Sequence, residues 1–391
     1  MEHYIFYCKL SLLAVLSLIT ACCMLSRRWY VNLAAFLACL SGETFLAHLF
    51  FPGYMLCPAA ASFIILFLSR IWDLSRTPAK GNGADPIRLP VRSGIRESRL
   101  EFYYYYSNFL VYGGAGSGKT KSIGKWLLSE YMRLGFAGFI YDFKDTDYTC
   151  TAYNLIKRHR YPHKFYYVSF DRPERSYRFN PLKVVRDRTE LIQLMEDVLL
   201  ALLPKKEQQN EWVAGGLGIL RGVAFRFWDE FPEHCTLPHI LAFIMTASAR
   251  QLSLFLQQNL VSEMLAGAYL KAEGSEKTQA SYLSTLCNNL ATISQNEEIA
   301  YVLSGDDFDF NLIDPENPKL FAVSNNFSKN SVYAPVISML MTISARQFSM
   351  QNRVPFVYFL DEMTTVNIKN FETLPSVLRE YKAAFILLTQ S

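Results

Sequence analysis

Gly113, Gly118, Lys119 and Thr120 stand in the order Gly-x4-Gly-Lys-Thr, directly after the apolar run Phe109-Leu110-Val111-Tyr112. Those residue types at that spacing suit phosphate chemistry. Glycines let consecutive backbone N–H groups converge on phosphate oxygens, and the residues between them, Gly114, Ala115, Gly116 and Ser117, are small enough to let the phosphates approach. Lys119 brings a positive charge for the β- and γ-phosphates, and Thr120 a hydroxyl for Mg²⁺. A helix expected from about Lys119 to Arg133 adds its positive N-terminus. A glycine-rich turn with a stray lysine is the plainer reading, but the strand–loop–helix context argues against it. ATP with Mg²⁺ is the expected ligand.

A second constellation lies far downstream. Residues 356–360 are apolar and run into Asp361 and Glu362. A strand buried on both faces would deliver these carboxylates to the C-terminal edge of an open α/β sheet, where ligands bind. Asp361 is expected in the Mg²⁺ shell, with Glu362 orienting or deprotonating the attacking water. An apolar strand ending in two acids is weak evidence alone; the upstream loop makes it strong. Gln390 closes the final apolar run, where a polar side chain can sense hydrolysis of the γ-phosphate. Arg379 lies on the preceding helix, either as an ordinary surface arginine or as a finger reaching a neighbouring subunit's site.

These residues need a scaffold, and the periodicity describes one. Strands are expected at 109–112, 137–141, 164–170, 319–323, 355–360 and 384–389, alternating with helices in the manner of a mainly parallel sheet. From about Asp187 to Leu303 the apolar spacing is helical throughout. The expectation is an α/β P-loop NTPase domain over 101–186 and 316–391, interrupted by an all-α insertion over 187–315. The sheet domain reads as truncated after Ser391, since a further helix or strand would ordinarily follow. Residues 76–100, rich in Gly and Pro, read as a linker.

The 51% hydrophobic content is unevenly spread. Residues 1–75 carry only Glu2, Lys9, Arg27, Arg28, Glu43, Arg70 and Asp73 as charges. Two stretches, 4–25 and 31–51, are long enough to span a bilayer, and a third, 54–68, is slightly short. Two to three spans form the expected anchor. Arg27, Arg28, Arg70, Arg76 and Lys80 would lie on the cytoplasmic side and Pro52-Gly53 at the far turn, which places the remainder in the cytoplasm. Glu43 and His48 inside a span are read as helix–helix packing within an oligomer.

Other chemistry finds little support. The eight cysteines include no C-x-x-C pair and read as small hydrophobes in a reducing compartment. Glu233-His234-Cys235 with His239 lacks a second ligand pair, and Thr236-Leu237-Pro238 reads as a capped helix start. The net charge of +4 is modest, and no dense basic stripe announces nucleic acid. Leu303-Ser304-Gly305-Asp306-Asp307 is a short loop, which argues against an ABC-type ATPase.

Taken in order, GGAGSGKT, FIYDFKD, SYRFNPL, NEWVAGGLGILRGV, FVYFLDEM and LREYKAAFILLTQS, together with the apolar N-terminus, resemble the type IV coupling proteins, the TraG/TraD-like ATPases of conjugation and type IV secretion. Two positions depart from that pattern: Asp145 and Lys382 stand where the family often has glycine. The resemblance implies that the P-loop domain is RecA-like and that the protein is a homo-hexamer anchored in the bacterial inner membrane. It would take a relaxase–DNA complex and drive single-stranded DNA toward the components of a type IV secretion channel. The alternatives are an FtsK/HerA-like DNA translocase unconnected to secretion, against which the α-insertion argues, and a hydrolysis-silent docking protein, against which the intact site residues argue.

Overall fold

The computed structural model describes residues 2–23, 29–50, 60, 64, 85–93, 96–114, 116–203, 206–208, 210–368 and 370–390. Arg27, Arg28, the turn at Pro52-Gly53, nearly all of the third apolar run, Arg70, Arg76, Lys80 and Ala115 lie outside the described residues. The chain divides into two units, Met1–Gly83 and Ala84–Ser391.

In the first unit, α1 (Glu2–Cys23) and α2 (Trp29–Phe50) pack as an antiparallel hairpin. The Ser17 hydroxyl donates to Glu43 Oε1, and the Lys9 ammonium lies 5.4 Å from the Phe50 ring centroid. Glu43 is buried where α2 packs on α1. Among the described residues no helix is long and apolar enough to cross a membrane.

The second unit opens with a correction. Within the expected linker, β1 (Ile87–Ser93) and β2 (Arg96–Phe102) form an antiparallel hairpin. The Gly- and Pro-rich approach masks an alternation of Ile87, Leu89 and Val91. Ile87 is fully buried against α3 (Lys125–Arg133), and Arg88 N–H donates to Glu130 Oε2 at 2.9 Å.

The main sheet comprises β3 (Phe109–Tyr112), β4 (Ala137–Asp142), β5 (Lys164–Ser169), β6 (Lys319–Ser324), β7 (Phe356–Asp361) and β8 (Ala383–Thr389), in the order β3-β8-β7-β4-β6-β5. Every pairing is parallel. All residues of β4, β6 and β7 are buried, as continuous apolar runs require when both faces are covered. On one face Leu127, Leu128 and Tyr131 of α3 and Tyr148 of α4 (Asp147–His159) meet Ile140, Phe359 and Ile386.

On the other face Phe139, Tyr358 and Phe385 share one core with the inserted helices. These are α5 (Arg188–Ala201), α6 (Glu211–Glu230), α7 (Leu237–Thr246), α8 (Ala249–Gln257), α9 (Leu260–Leu265), α10 (Gly267–Lys271), α11 (Glu276–Ser294) and α12 (Glu297–Leu303). Then α13 (Asn330–Arg346) bridges insertion and sheet, its Ile337 and Leu340 in the same core. No strand occurs between α5 and α12 among the described residues, in keeping with the helical periodicity there. The glycines of α6 explain themselves by close approach: a Cβ on Gly218 would lie 2.8 Å from the Leu265 carbonyl oxygen, and on Gly222 2.9 Å from that of Ser262. The element Arg178-Phe179-Asn180-Pro181 forms the joint. Phe179 packs between Phe308 and Phe310, at 4.8 and 4.9 Å between centroids, and Asn180 Nδ2 donates to the Cys235 carbonyl. Thr236 caps α7 as expected, accepting from His239 N–H at 3.2 Å.

Candidate functional site

The strand order decides what meets what. Tyr112, the end of β3, lies in register with Thr389 of β8, and Leu388 of β8 with Asp361 of β7. The last strand is therefore inserted between the phosphate loop and the acidic pair, and its end, Gln390, sits between them.

The loop leaves β3 with Gly113 N–H donating to the Thr389 carbonyl at 3.3 Å. Gly116 and Gly118 adopt φ of 73° and 83°, a left-handed conformation that only glycine takes at little cost. Lys119 is buried and folds back over the loop, donating to the carbonyls of Gly113 and Gly114. Its ammonium thus occupies the mouth of the cradle, where a phosphate would take over its contacts. Thr120 is half-buried beside it. The expected helix begins as a π-helical turn, Lys119–Gly124, before the regular α3. Gly124 makes room for the Tyr148 ring: a Cβ there would lie 2.4 Å from the Tyr148 hydroxyl.

Asp361 is 1% exposed, and its Oδ2 has no hydrogen-bond partner among the described residues. One register step away, at the end of β4, Asp142 is also buried. Its Oδ2 accepts from Thr149 N–H at 2.8 Å and from the Thr149 hydroxyl at 2.9 Å, while its Oδ1 has no hydrogen-bond partner among the described residues. Burial pushes the Asp361 carboxyl up to about 7, helped by the charges of Asp142, Glu362 and Asp147 and opposed by Lys144. Buried carboxylate oxygens without partners fit a divalent cation's needs. Among the described residues no group of three His, Cys, Asp or Glu side chains is arranged to hold a metal alone. Mg²⁺ takes one or two carboxylates together with phosphates and waters, and Asp361 and Asp142 could supply the carboxylates.

The raised value has a sign that can be checked. Between the ordinary aspartate range and about 7, the folded chain holds a proton that the unfolded chain lacks, so this group's contribution to stability falls as pH rises through that window. Cation binding needs the ionised form and releases the proton. Mg²⁺–nucleotide affinity is expected to weaken about tenfold from about pH 8 to about pH 6, beyond the nucleotide's own titration. Asp361→Asn should abolish that extra dependence in calorimetric titrations. The same pH slope in both proteins would remove Asp361 from the metal shell.

Glu362 is 6% exposed and has φ 50°, ψ 54°. A left-handed glutamate costs roughly 1–2 kcal/mol, and such strain collects at functional positions. Its carboxylate accepts from Gln390 Nε2 at 2.5 Å, and Lys144 Nζ stands 3.9 Å away. Its carbonyl accepts from Thr365 N–H at 2.9 Å and from the Thr365 hydroxyl at 2.7 Å. The structure therefore brings Lys119, Asp361, Glu362 and Gln390 to one sheet edge.

Arg379 is not among them. It lies exposed on α14 (Leu374–Glu380), and its guanidinium makes no hydrogen bond or ion pair among the described residues. Lys382, three residues on, accepts through its carbonyl from Phe356 N–H at the start of β7. Arg379 thus sits toward the amino edge of the sheet, opposite the phosphate loop, and cannot serve its own chain's site.

Asp142 and the Tyr141 hydroxyl were missed by sequence reasoning. A second acid at the end of the adjacent apolar strand was the available signal for Asp142. For Tyr141 there was none, because a tyrosine in a buried strand reads as core. The two departures from the family's glycines also resolve: Asp145 has φ 64° and Lys382 has φ 66°. The chain keeps the backbone conformation that glycine favours, and Arg172 pairs with Asp145 at 2.9 Å.

Comparison with known proteins agrees with this geometry. The fold matches solved structures of the bacterial conjugative coupling protein TrwB. A trigonal form in complex with sulphate gives a TM-score of 0.59 at 16% identity, covering 83% of this chain and 70% of that one. TrwB in complex with ADP and Mg²⁺ gives 0.57 at 16% identity, covering 80% and 75%. TrwB with the non-hydrolysable ATP analogue ADPNP gives 0.58 at 16% identity, with the same coverage. No curated protein sequence matches the chain. Residues 92–391 match the family model described as Type IV secretory system Conjugative DNA transfer, so the chain belongs to that family and has its role in conjugative DNA transfer.

Proposed function

We propose that the protein is a membrane-anchored ATPase that couples a relaxase–DNA complex to a type IV secretion channel and drives single-stranded DNA transfer as a homo-hexamer. One observation carries the hydrolytic part: Lys119, Asp361, Glu362 and Gln390 converge on one sheet edge beside buried carboxylate oxygens that lack partners. TrwB, which shares the fold, has been solved with ADP and Mg²⁺ and with ADPNP. Gly113, Gly114, Gly116, Ser117 and Gly118 would wrap the phosphates, with Ala115 completing the loop. Thr120 and Asp361 would hold Mg²⁺, which when bound neutralises charge between the phosphates. Glu362 orients the attacking water and accepts its proton, and Gln390, bonded to Glu362, registers the loss of the γ-phosphate. Arg379 would serve a neighbouring subunit. Membrane anchoring at the bacterial inner membrane is supported by the apolar stretches at 4–25 and 31–51.

The test is ATP hydrolysis by the detergent-solubilised protein with and without single-stranded DNA, using Lys119→Ala as the blank. DNA-stimulated turnover that vanishes in the variant is the expected result. Turnover indifferent both to DNA and to Lys119 would exclude the motor.

A further inference from the structure

The β6–α13 loop, Asn325 to Asn330, displays an aromatic ring while being pinned on every side. Phe327 is 82% exposed, and among the described residues its one ring contact is Phe143, edge-on at 6.3 Å between centroids. Exposed single apolar residues are common and need no explanation by themselves. This one is distinguished by its mounting. Asn326 donates from Nδ2 to Asp171, and its Oδ1 accepts from Ser328 N–H at 2.9 Å and from the Ser328 hydroxyl at 2.7 Å. Lys329 donates to Asp171 Oδ1 at 2.6 Å. Asn325 N–H donates to the Asp142 carbonyl at 2.9 Å, and its side chain to Asn330 Oδ1 at 2.7 Å.

The same Asn325 leads to the hydrolytic centre. Its Nδ2 also donates to the Tyr141 hydroxyl at 2.8 Å, and that hydroxyl pairs with Thr365 Oγ1 at 2.6 Å. Thr365 in turn donates to the Glu362 carbonyl at 2.7 Å, the residue held in the strained left-handed conformation. Three side chains, Asn325, Tyr141 and Thr365, therefore join the Phe327 loop to the backbone of Glu362. Four strand spacings separate β6 from β3, roughly 19 Å, so a ligand on the loop would not collide with nucleotide.

The local charges say what kind of ligand suits. Arg172, paired with Asp145, and Lys329, paired with Asp171, are 43% and 47% exposed, so the loop has cations on and near it that a passing phosphate can share. The loop also offers a ring face, which an unstacked base can cover and a base inside a duplex cannot. Resting on the reading given under Proposed function, we infer that Phe327 is a base-stacking contact for single-stranded DNA, and that Asn325, Tyr141 and Thr365 relay its occupancy to Glu362. The last three are positioning residues.

The experiment uses the full chain with a fluorescent oligothymidylate and a duplex control. Phe327→Ala is expected to weaken single-strand binding about ten- to a hundredfold. It should also abolish DNA stimulation while keeping basal hydrolysis and duplex binding, whereas Phe327→Trp keeps both single-strand binding and stimulation. Tyr141→Phe is expected to bind the oligonucleotide as the wild type does but respond weakly to it. Unchanged single-strand affinity in Phe327→Ala overturns the contact, and full stimulation in Tyr141→Phe overturns the relay. A wild type that binds no single-stranded DNA would instead overturn the underlying functional reading.

Discussion

Glu362→Gln is expected to lower ATP turnover by about 10²- to 10⁴-fold, the usual worth of a positioned general base, with nucleotide affinity nearly unchanged. The separation follows from geometry. An amide fits the carboxylate's volume and can still bond Gln390, and the left-handed backbone at Glu362 is held by Thr365 whatever the side chain. What disappears is the capacity to take a proton and the charge that faces Lys144 at 3.9 Å. Single-turnover hydrolysis beside equilibrium binding of a fluorescent nucleotide measures both halves. A loss below tenfold in the chemical step would deny Glu362 the role of base. DNA transfer in mating assays extends the test: normal transfer by a protein that no longer hydrolyses ATP would favour a docking role over a motor.

Arg379→Ala carries the second large effect, about 10³-fold or more in turnover, the scale associated with an arginine finger. Within one chain this residue stands at the wrong edge of the sheet, exposed and without a side-chain partner among the described residues, so any catalytic work must be done on another copy. That requirement yields a sharper measurement than the single variant. Arg379→Ala and Glu362→Gln proteins, each inactive alone, should regain part of the activity when mixed, because some interfaces then pair an intact glutamate with an intact arginine. Absence of recovery in mixtures shown to co-assemble would make Arg379 an ordinary surface residue.

Much of this arrangement was legible in the residues. The strands that carry Lys119, Asp361 and Gln390 are unbroken apolar runs, a pattern that buried parallel strands impose and that reads directly. The phosphate loop announced itself because glycine spacing and a following Lys-Thr have few other uses. Three things escaped for separable physical reasons. The β1–β2 hairpin hid behind a Gly- and Pro-rich approach although Ile87, Leu89 and Val91 alternate. The left-handed positions at Asp145 and Lys382 could not be told from ordinary ones, since nothing local to an aspartate or lysine reports the sign of φ. Tyr141 and Asn325 meet across 184 positions of sequence, and pairing at that distance is a property of strand order. Arg379 illustrates the converse: its place on a helix before the last strand was read correctly, but which edge of the sheet it faces emerged only from the register of Lys382 with Phe356.

The strand order has a consequence for how the chain is made. The strand that launches the phosphate loop has one sheet neighbour among the described residues, β8, and Phe109 is aligned with Ile386. At a ribosomal pace of about 5–20 residues per second, β3 waits roughly 15–55 seconds for that neighbour to be synthesised. Throughout that interval a short apolar segment has both of its hydrogen-bonding sides open, in a chain whose earliest residues are also apolar. Until β8 is made, the phosphate loop lacks the neighbour whose Thr389 carbonyl holds Gly113, so nucleotide binding is expected only after the last strand has joined.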